Sequence, residues 1–157
     1  MKRATHELAL QALIAGLYVA ITFVFQGVSF MAEQLRLAEF LLILVLLHHK
    51  NMVGILLGTL LANTLSPIGV LDIVVGSFAT YAVMWLMVRV EIKWLKYMAP
   101  AIGNGVIIGI MLAFVYGLPV FYAMGSVYLS EMIVTFVPWV LIGDKILKNK
   151  TIQGIFG

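Results

Sequence analysis

The chain contains no cysteine, which excludes disulfides, thiolate chemistry and cysteine-based metal sites. Charge is scarce as well. Charged residues make up 11% of the sequence, against about 25% in an average soluble domain. No Ser–His arrangement, HExxH helix or P-loop is present, so the reading is not an enzyme and the chain has no motif for hydrolysing nucleotide. The three histidines, His6 and the adjacent His48 and His49, do not make a metal site without further ligands, so no metal and no cofactor are expected. Low-complexity tracts, linkers and clear internal repeats are missing too. What fills the chain is apolar: 63% of its residues are hydrophobic and the mean hydropathy is +1.10. A core of 157 residues has no room to hide that much apolar surface, so the solvent is lipid. The expectation is an all-α integral membrane protein, a single transmembrane domain over residues 1–157. The start, Met1-Lys2-Arg3 before an apolar run, has a signal peptide's opening. The run continues past Ala20 with no polar region following a cleavage site, so it reads as a retained first span.

Six apolar segments are expected, at about 7–29, 35–47, 51–65, 69–89, 98–117 and 122–144, where a full span needs roughly 20 apolar residues. The second and third are short, and short or interrupted helices often line a binding cavity; a re-entrant hairpin is the other way to place them. The breaks have turn chemistry: Ser66-Pro67-Ile68-Gly69, Gly117-Leu118-Pro119, the polar turn His48-His49-Lys50-Asn51 and the charged connection Arg89 to Lys96. With six spans and an internal N-terminus, Lys2, Arg3, Lys50, Arg89, Lys93, Lys96, Lys145, Lys148 and Lys150 are all cytoplasmic, leaving only Arg36 outside. Both termini are then cytoplasmic. The net charge of +3 is the residue of an orientation signal and does not point to nucleic acid.

Four carboxylates, Glu33, Glu39, Asp72 and Glu131, fall toward the opposite, outer side. An ionisable group within an apolar run is a functional candidate by default. Arg36 and Glu39 are three apart and able to pair on one helical face. Asn63 ends the third segment and Asp72 begins the fourth, with Gly76 and Thr80 at i+4 and i+8; Asp72 at a helix N-terminus also suits the macrodipole. Asn104 is isolated within the fifth segment. Glu131 lies too deep in the sixth to snorkel, and needs a cavity, a partner or a proton. Ser126 and Ser130 add hydrogen-bonding options, and Tyr128 and Phe30 offer stacking surfaces or interfacial anchors. Ala12, Gly16 and Ala20 recur every four residues on the first span, a face that admits close approach of another helix, from this chain or another. Together these features suggest an outward-facing site for a small, polar, cationic or guanidine-like molecule.

The runs Gln34-Leu35-Arg36-Leu37-Ala38-Glu39, Leu61-Ala62-Asn63, Leu71 to Thr80, Gly117-Leu118-Pro119 and Ser130-Glu131 resemble the QueT family, from about residue 8 to 143. These are substrate-binding S-components of energy-coupling factor (ECF) transporters. Gly16 stands where family members often have Ala, and the second turn is less rich in Pro and Ala than expected. The resemblance implies a six-helix S-component in the bacterial cell membrane. It would capture a queuosine precursor, a 7-deazaguanine base, and dock on a transmembrane coupling subunit and two ATPase subunits through Ala12, Gly16 and Ala20. On this reading Glu131 or Glu39 reads the amine edge of the base, Asn104 or Asn63 its ring oxygen, and Asp72 or the remaining Glu an ammonium group. Arg36 orders the outer loop as a lid. The rival reading is a self-sufficient, proton-coupled secondary transporter in which Glu39 or Glu131 relays protons.

Overall fold

The computed structural model describes residues 2–30 and 34–157, without the side chains of Lys2 and Arg3. Glu33 therefore lies outside the described residues. Among the described residues the regular structure is entirely helical. Four helices are long and apolar enough to cross a membrane: α1 (Lys2–Val24), α3 (Asp72–Arg89), α4 (Lys93–Tyr116) and α5 (Val120–Lys148). Two shorter apolar segments complete the bundle, a 3₁₀ helix at Leu37–Leu46 and α2 at Asn51–Asn63. The exposed side chains are themselves apolar, with Phe114, Phe121 and Leu8 among the most exposed, as expected of helices whose outer faces meet lipid.

The two short segments run in opposite directions along the bundle. The 3₁₀ helix leads from the end of the bundle holding the Arg36–Asp72 ion pair to the end holding the Lys50–Glu7 pair. At a rise of about 2.0 Å per residue, its ten residues stretch roughly 20 Å, farther than the same length of α-helix. It runs through the middle of the core. Leu42 and Ile43 are fully buried beside Ile14, Tyr18, Ile55, Met84, Met87, Tyr97 and Trp139, and the Trp139 indole N–H donates to the Phe40 carbonyl at 3.1 Å. Helix α2 then returns parallel to α1. A Cβ built at Gly54 would meet Gln11 and Ile14, and one at Gly58 would meet Tyr18 and Ala15. The close contact of α1 and α2 is thus made by a Gly-xxx-Gly pair on α2.

Turns fall where the sequence puts them. Gly117 takes the left-handed conformation, φ 65°, at the end of α4, and Leu118 N–H returns to the Ala113 carbonyl at 3.0 Å, a glycine stop of the Schellman kind. Two boundaries differ from expectation. Helix α4 begins at Lys93, inside the charged connection, because Lys93 and the Tyr97 hydroxyl both find Asp144 across the bundle end. A further helix, α6 (Lys150–Phe156), follows the last span, capped by the Asn149 side chain accepting from Thr151 N and Ile152 N. The Phe156 carbonyl accepts from Asn51 Nδ2 at 2.8 Å, fastening α6 to the base of α2.

Candidate functional site

The site lies toward the end of the bundle opposite the lysines. Helix α2 delivers Asn63 at its last turn, α3 delivers Asp72 at its first, α4 and α5 deliver Asn104 and Glu131, and the 3₁₀ helix delivers Glu39. All five are buried, as is Arg36 just before the 3₁₀ helix. Two helices widen into π-helical turns beside an acid: Asp72–Gly76, and Met132–Phe136 immediately after Glu131. Single π turns often occur at functional sites, where they redirect side chains. A threonine hydroxyl back-bonds beside each turn: Thr80 Oγ1 donates to Gly76 O at 3.2 Å and Thr135 Oγ1 to Glu131 O at 2.8 Å.

Three local pairings organise the site. Arg36 Nη2 meets Asp72 Oδ2 at 3.3 Å and also donates to Gln34 Oε1 at 3.3 Å. Tyr18 OH donates to Glu39 Oε1 at 2.5 Å. Asn104 Nδ2 donates to Glu131 Oε1 at 2.7 Å. Asn63 Nδ2 is committed to the Asp72 carbonyl at 2.9 Å and Ser77 Oγ at 3.3 Å. The expected Arg36–Glu39 pair does not form. The guanidinium reaches across to α3, and Glu39, facing α1, takes the Tyr18 hydroxyl. Phe30 lies against Arg36, 5.4 Å from ring centroid to guanidinium carbon, so its ring is occupied by the protein's own cation. Gly76 gives the cluster its closeness: a Cβ there would fall 2.6 Å from Asp72 Oδ1 and 2.9 Å from Asn63 Nδ2.

A small cavity opens among these groups, lined by Gln34, Arg36, Glu39, Thr80, Asn104 and Glu131, with Gly76, Ile108 and Val127 completing its wall. It holds about 10 Å³, room for roughly one water. Among the described residues, buried polar atoms of its lining have no partner, Gln34 Nε2, Arg36 Nε, Glu39 Oε2, Asn104 Oδ1 and Glu131 Oε2, and neither do Asn63 Oδ1 and Asp72 Oδ1 beside Gly76. Buried polar groups are nearly always hydrogen-bonded, so a cluster of orphans around one cavity calls for a missing partner.

Sequence reasoning missed Tyr18 and Gln34. A tyrosine in mid-span signals a hydroxyl in need of a partner. Gln34 carries no such signal; its left-handed backbone, φ 47°, emerges only in the fold. Tyr128 does not line the polar cavity. It packs over Gly105 in an apolar groove between α4 and α5, with Ile102, Val106, Met124 and Gly125. Ala12, Gly16 and Ala20 are exposed and line a groove of about 790 Å³ with Phe23, Leu57, Leu60 and Leu61. Among the described residues, nothing beyond α1's own backbone and the two chain neighbours comes within 4 Å of a Cβ built at Gly16, so the contact of α1 with α2 leaves this face free.

The family model for QueT transporters matches residues 8–146. No curated protein and no solved structure matches the chain.

Proposed function

Because the chain belongs to the QueT transporter family, and so is a multi-pass membrane protein of transport, we propose that it is the substrate-capture S-component of an ECF importer for a queuosine precursor of the 7-deazaguanine class. In this reading the chain crosses the bacterial plasma membrane six times, with both termini in the cytoplasm. It catalyses nothing, holds no cofactor and leaves ATP hydrolysis to two partner ATPases, reached through a transmembrane coupling subunit.

The observation that carries the substrate assignment is the ring of unpartnered buried polar atoms around one cavity. A deazaguanine edge presents an N–H and an exocyclic amine beside a carbonyl oxygen. A carboxylate accepts the first two as a pair, as it does a guanidinium, and an N–H donor satisfies the third. Free acceptors and free donors of both kinds are present. The cavity is far smaller than a purine, so capture requires the segment around Gln34 and Arg36 to move away and re-form over the base. The exposed Ala12–Gly16–Ala20 face supports the second half of the reading, since a small-residue face without an internal partner suits close approach by another helix.

Calorimetric titration of the purified protein with 7-cyano- and 7-aminomethyl-7-deazaguanine tests the proposal, with adenine as the control. Saturable binding of a deazaguanine and none of adenine is the expected result. Absence of binding by every deazaguanine would overturn the substrate class.

A further inference from the structure

Glu39 and Asp72 are held in different ways. Asp72 has Arg36 for a countercharge. Among the described residues no ion pair reaches Glu39. Its Oε1 takes the Tyr18 hydroxyl at 2.5 Å, and its Oε2 has no partner although Glu39 lines the cavity. Thr80, the hydroxyl in the cavity wall, has its hydrogen committed to Gly76 O. Tyr18 stands behind the acid and outside the site. Among the described residues none from α1 lines the cavity, and Tyr18 is fully buried. Its ring belongs to the apolar cluster of Ile14, Leu42 and Ile55. Gly58 of α2 lies so close that a Cβ built there would fall 2.7 Å from Tyr18 Cβ. A tyrosine packed this tightly has little freedom, so its hydroxyl is a fixed polar point in apolar surroundings. Glu39, by contrast, carries its carboxylate on a stem with much rotamer entropy to lose.

We infer that Tyr18 is a positioning residue: from outside the cavity its hydroxyl anchors one oxygen of Glu39, so that the other is presented to the ligand. This role rests on the capture site proposed above and adds to it a residue that the ligand does not touch. Anchoring removes rotamers of Glu39 before the ligand arrives, so less ordering entropy is lost on binding. A site built this way takes its geometry from the packed shell behind it. The choice of donor matters as well. A phenol is neutral, so it fixes the carboxylate without supplying a countercharge, whereas the guanidinium on Asp72 supplies one. Asp72 is thereby tied into the protein, and Glu39 stays open to a donor from outside.

Tyr18→Phe tests this, because it keeps the ring and removes only the hydroxyl. Infrared spectra of the unliganded protein report the anchor itself: the bands lost in Glu39→Gln identify that carboxyl group, and Tyr18→Phe should displace them. Calorimetry with 7-cyano- and 7-aminomethyl-7-deazaguanine reports its use. Tyr18→Phe should weaken binding of whichever base the native protein takes by about tenfold, the scale of one hydrogen bond to a charged group. In the Glu39→Gln background the same substitution should cost about threefold, because the acceptor is then neutral. A tyrosine that only fills the core would weaken binding equally in both backgrounds. That equality, native affinity in Tyr18→Phe, or undisplaced Glu39 bands would each overturn the role. Where Glu39→Gln binds too weakly to titrate, the infrared displacement decides. If neither base binds the native protein, the ligand reading fails and this role with it; a failure confined to the variants overturns the role of Tyr18 alone.

Discussion

Glu39 and Glu131 have the same local design, one carboxylate oxygen fixed and the other left open, whereas Asp72 is tied to a cation. The three acids therefore do not have equal consequences on mutation. Arg36→Ala leaves Asp72 buried without its countercharge, and breaking such a pair costs about 3–5 kcal/mol. Thermal unfolding in detergent should show a large loss of stability, and the double variant Arg36→Met/Asp72→Asn should recover most of it. A double variant no more stable than Arg36→Ala would mean that the pair is not what holds this end together. Gly76→Ala acts on the same cluster by volume. The new methyl would displace the Asp72 and Asn63 side chains, at about 1–3 kcal/mol for overpacking, and ligand affinity should fall with stability; native unfolding and affinity in this variant would show that the cluster can yield. The acids themselves were legible in the sequence, because a carboxylate inside an apolar run has few benign explanations. Their partners were not. Spacing on one helix suggested Arg36–Glu39, but tertiary packing pairs Arg36 with a residue 36 positions away, and sequence separation carries no information about that choice.

Helices of this bundle meet through glycine in several places, and two of them have a predictable response. Gly109 lies against the Met124 backbone where α4 and α5 run antiparallel, and Gly58 lies against Tyr18 and Ala15 where α2 runs beside α1. Gly58→Ala would set its methyl 2.7 Å from Tyr18 Cβ and 3.0 Å from the Ala15 carbonyl oxygen, forcing the helices apart at about 1–3 kcal/mol. Gly16→Ala meets nothing within 4 Å and gains helix propensity of up to about 1 kcal/mol. Gly58→Ala should therefore lower the unfolding midpoint and Gly16→Ala should leave it unchanged or raise it. A bulky Gly16→Leu should leave the isolated protein folded and ligand-binding but weaken its association with the coupling subunit in a detergent pull-down. Equal destabilisation by Gly16→Ala and Gly58→Ala would mean that the two faces are not distinct. At this scale the long helices were legible from hydropathy alone, and the turn glycines and prolines marked their ends. The 3₁₀ winding of Leu37–Leu46 and the π turns beside Asp72 and Glu131 were not. The 3₁₀ winding reflects how far a short segment must stretch, a property of the assembled bundle, and no hydrophobic period in the sequence marks a single π turn.

Across the whole molecule, charge is sorted by end. Lys50, Lys93 and Asp144 pair or cluster where α1 begins and α6 docks, while Arg36 and Asp72 lie at the other end. Lysine and arginine in short connections set orientation, so the lysine end should face the cytoplasm and the site should open outward. The absence of cysteine, first read as an exclusion, makes this directly measurable. Thr64, exposed beyond α2, and Gln153, exposed on α6, lie at opposite ends. In intact cells a membrane-impermeant maleimide should label Thr64→Cys and spare Gln153→Cys, and inverted vesicles should reverse the pattern. Labelling of both from one side would overturn the six-span threading, since an odd number of passes between the two positions is what separates them. The same threading bears on how transport is powered. An outward site served by partners predicts that proteoliposomes containing this chain alone bind substrate but do not accumulate it under a proton gradient, and that adding the coupling subunit, both ATPases and ATP starts uptake. Accumulation by the chain alone, abolished by Glu39→Gln or Glu131→Gln, would instead assign those two open carboxylates to proton relay and make the protein a secondary transporter.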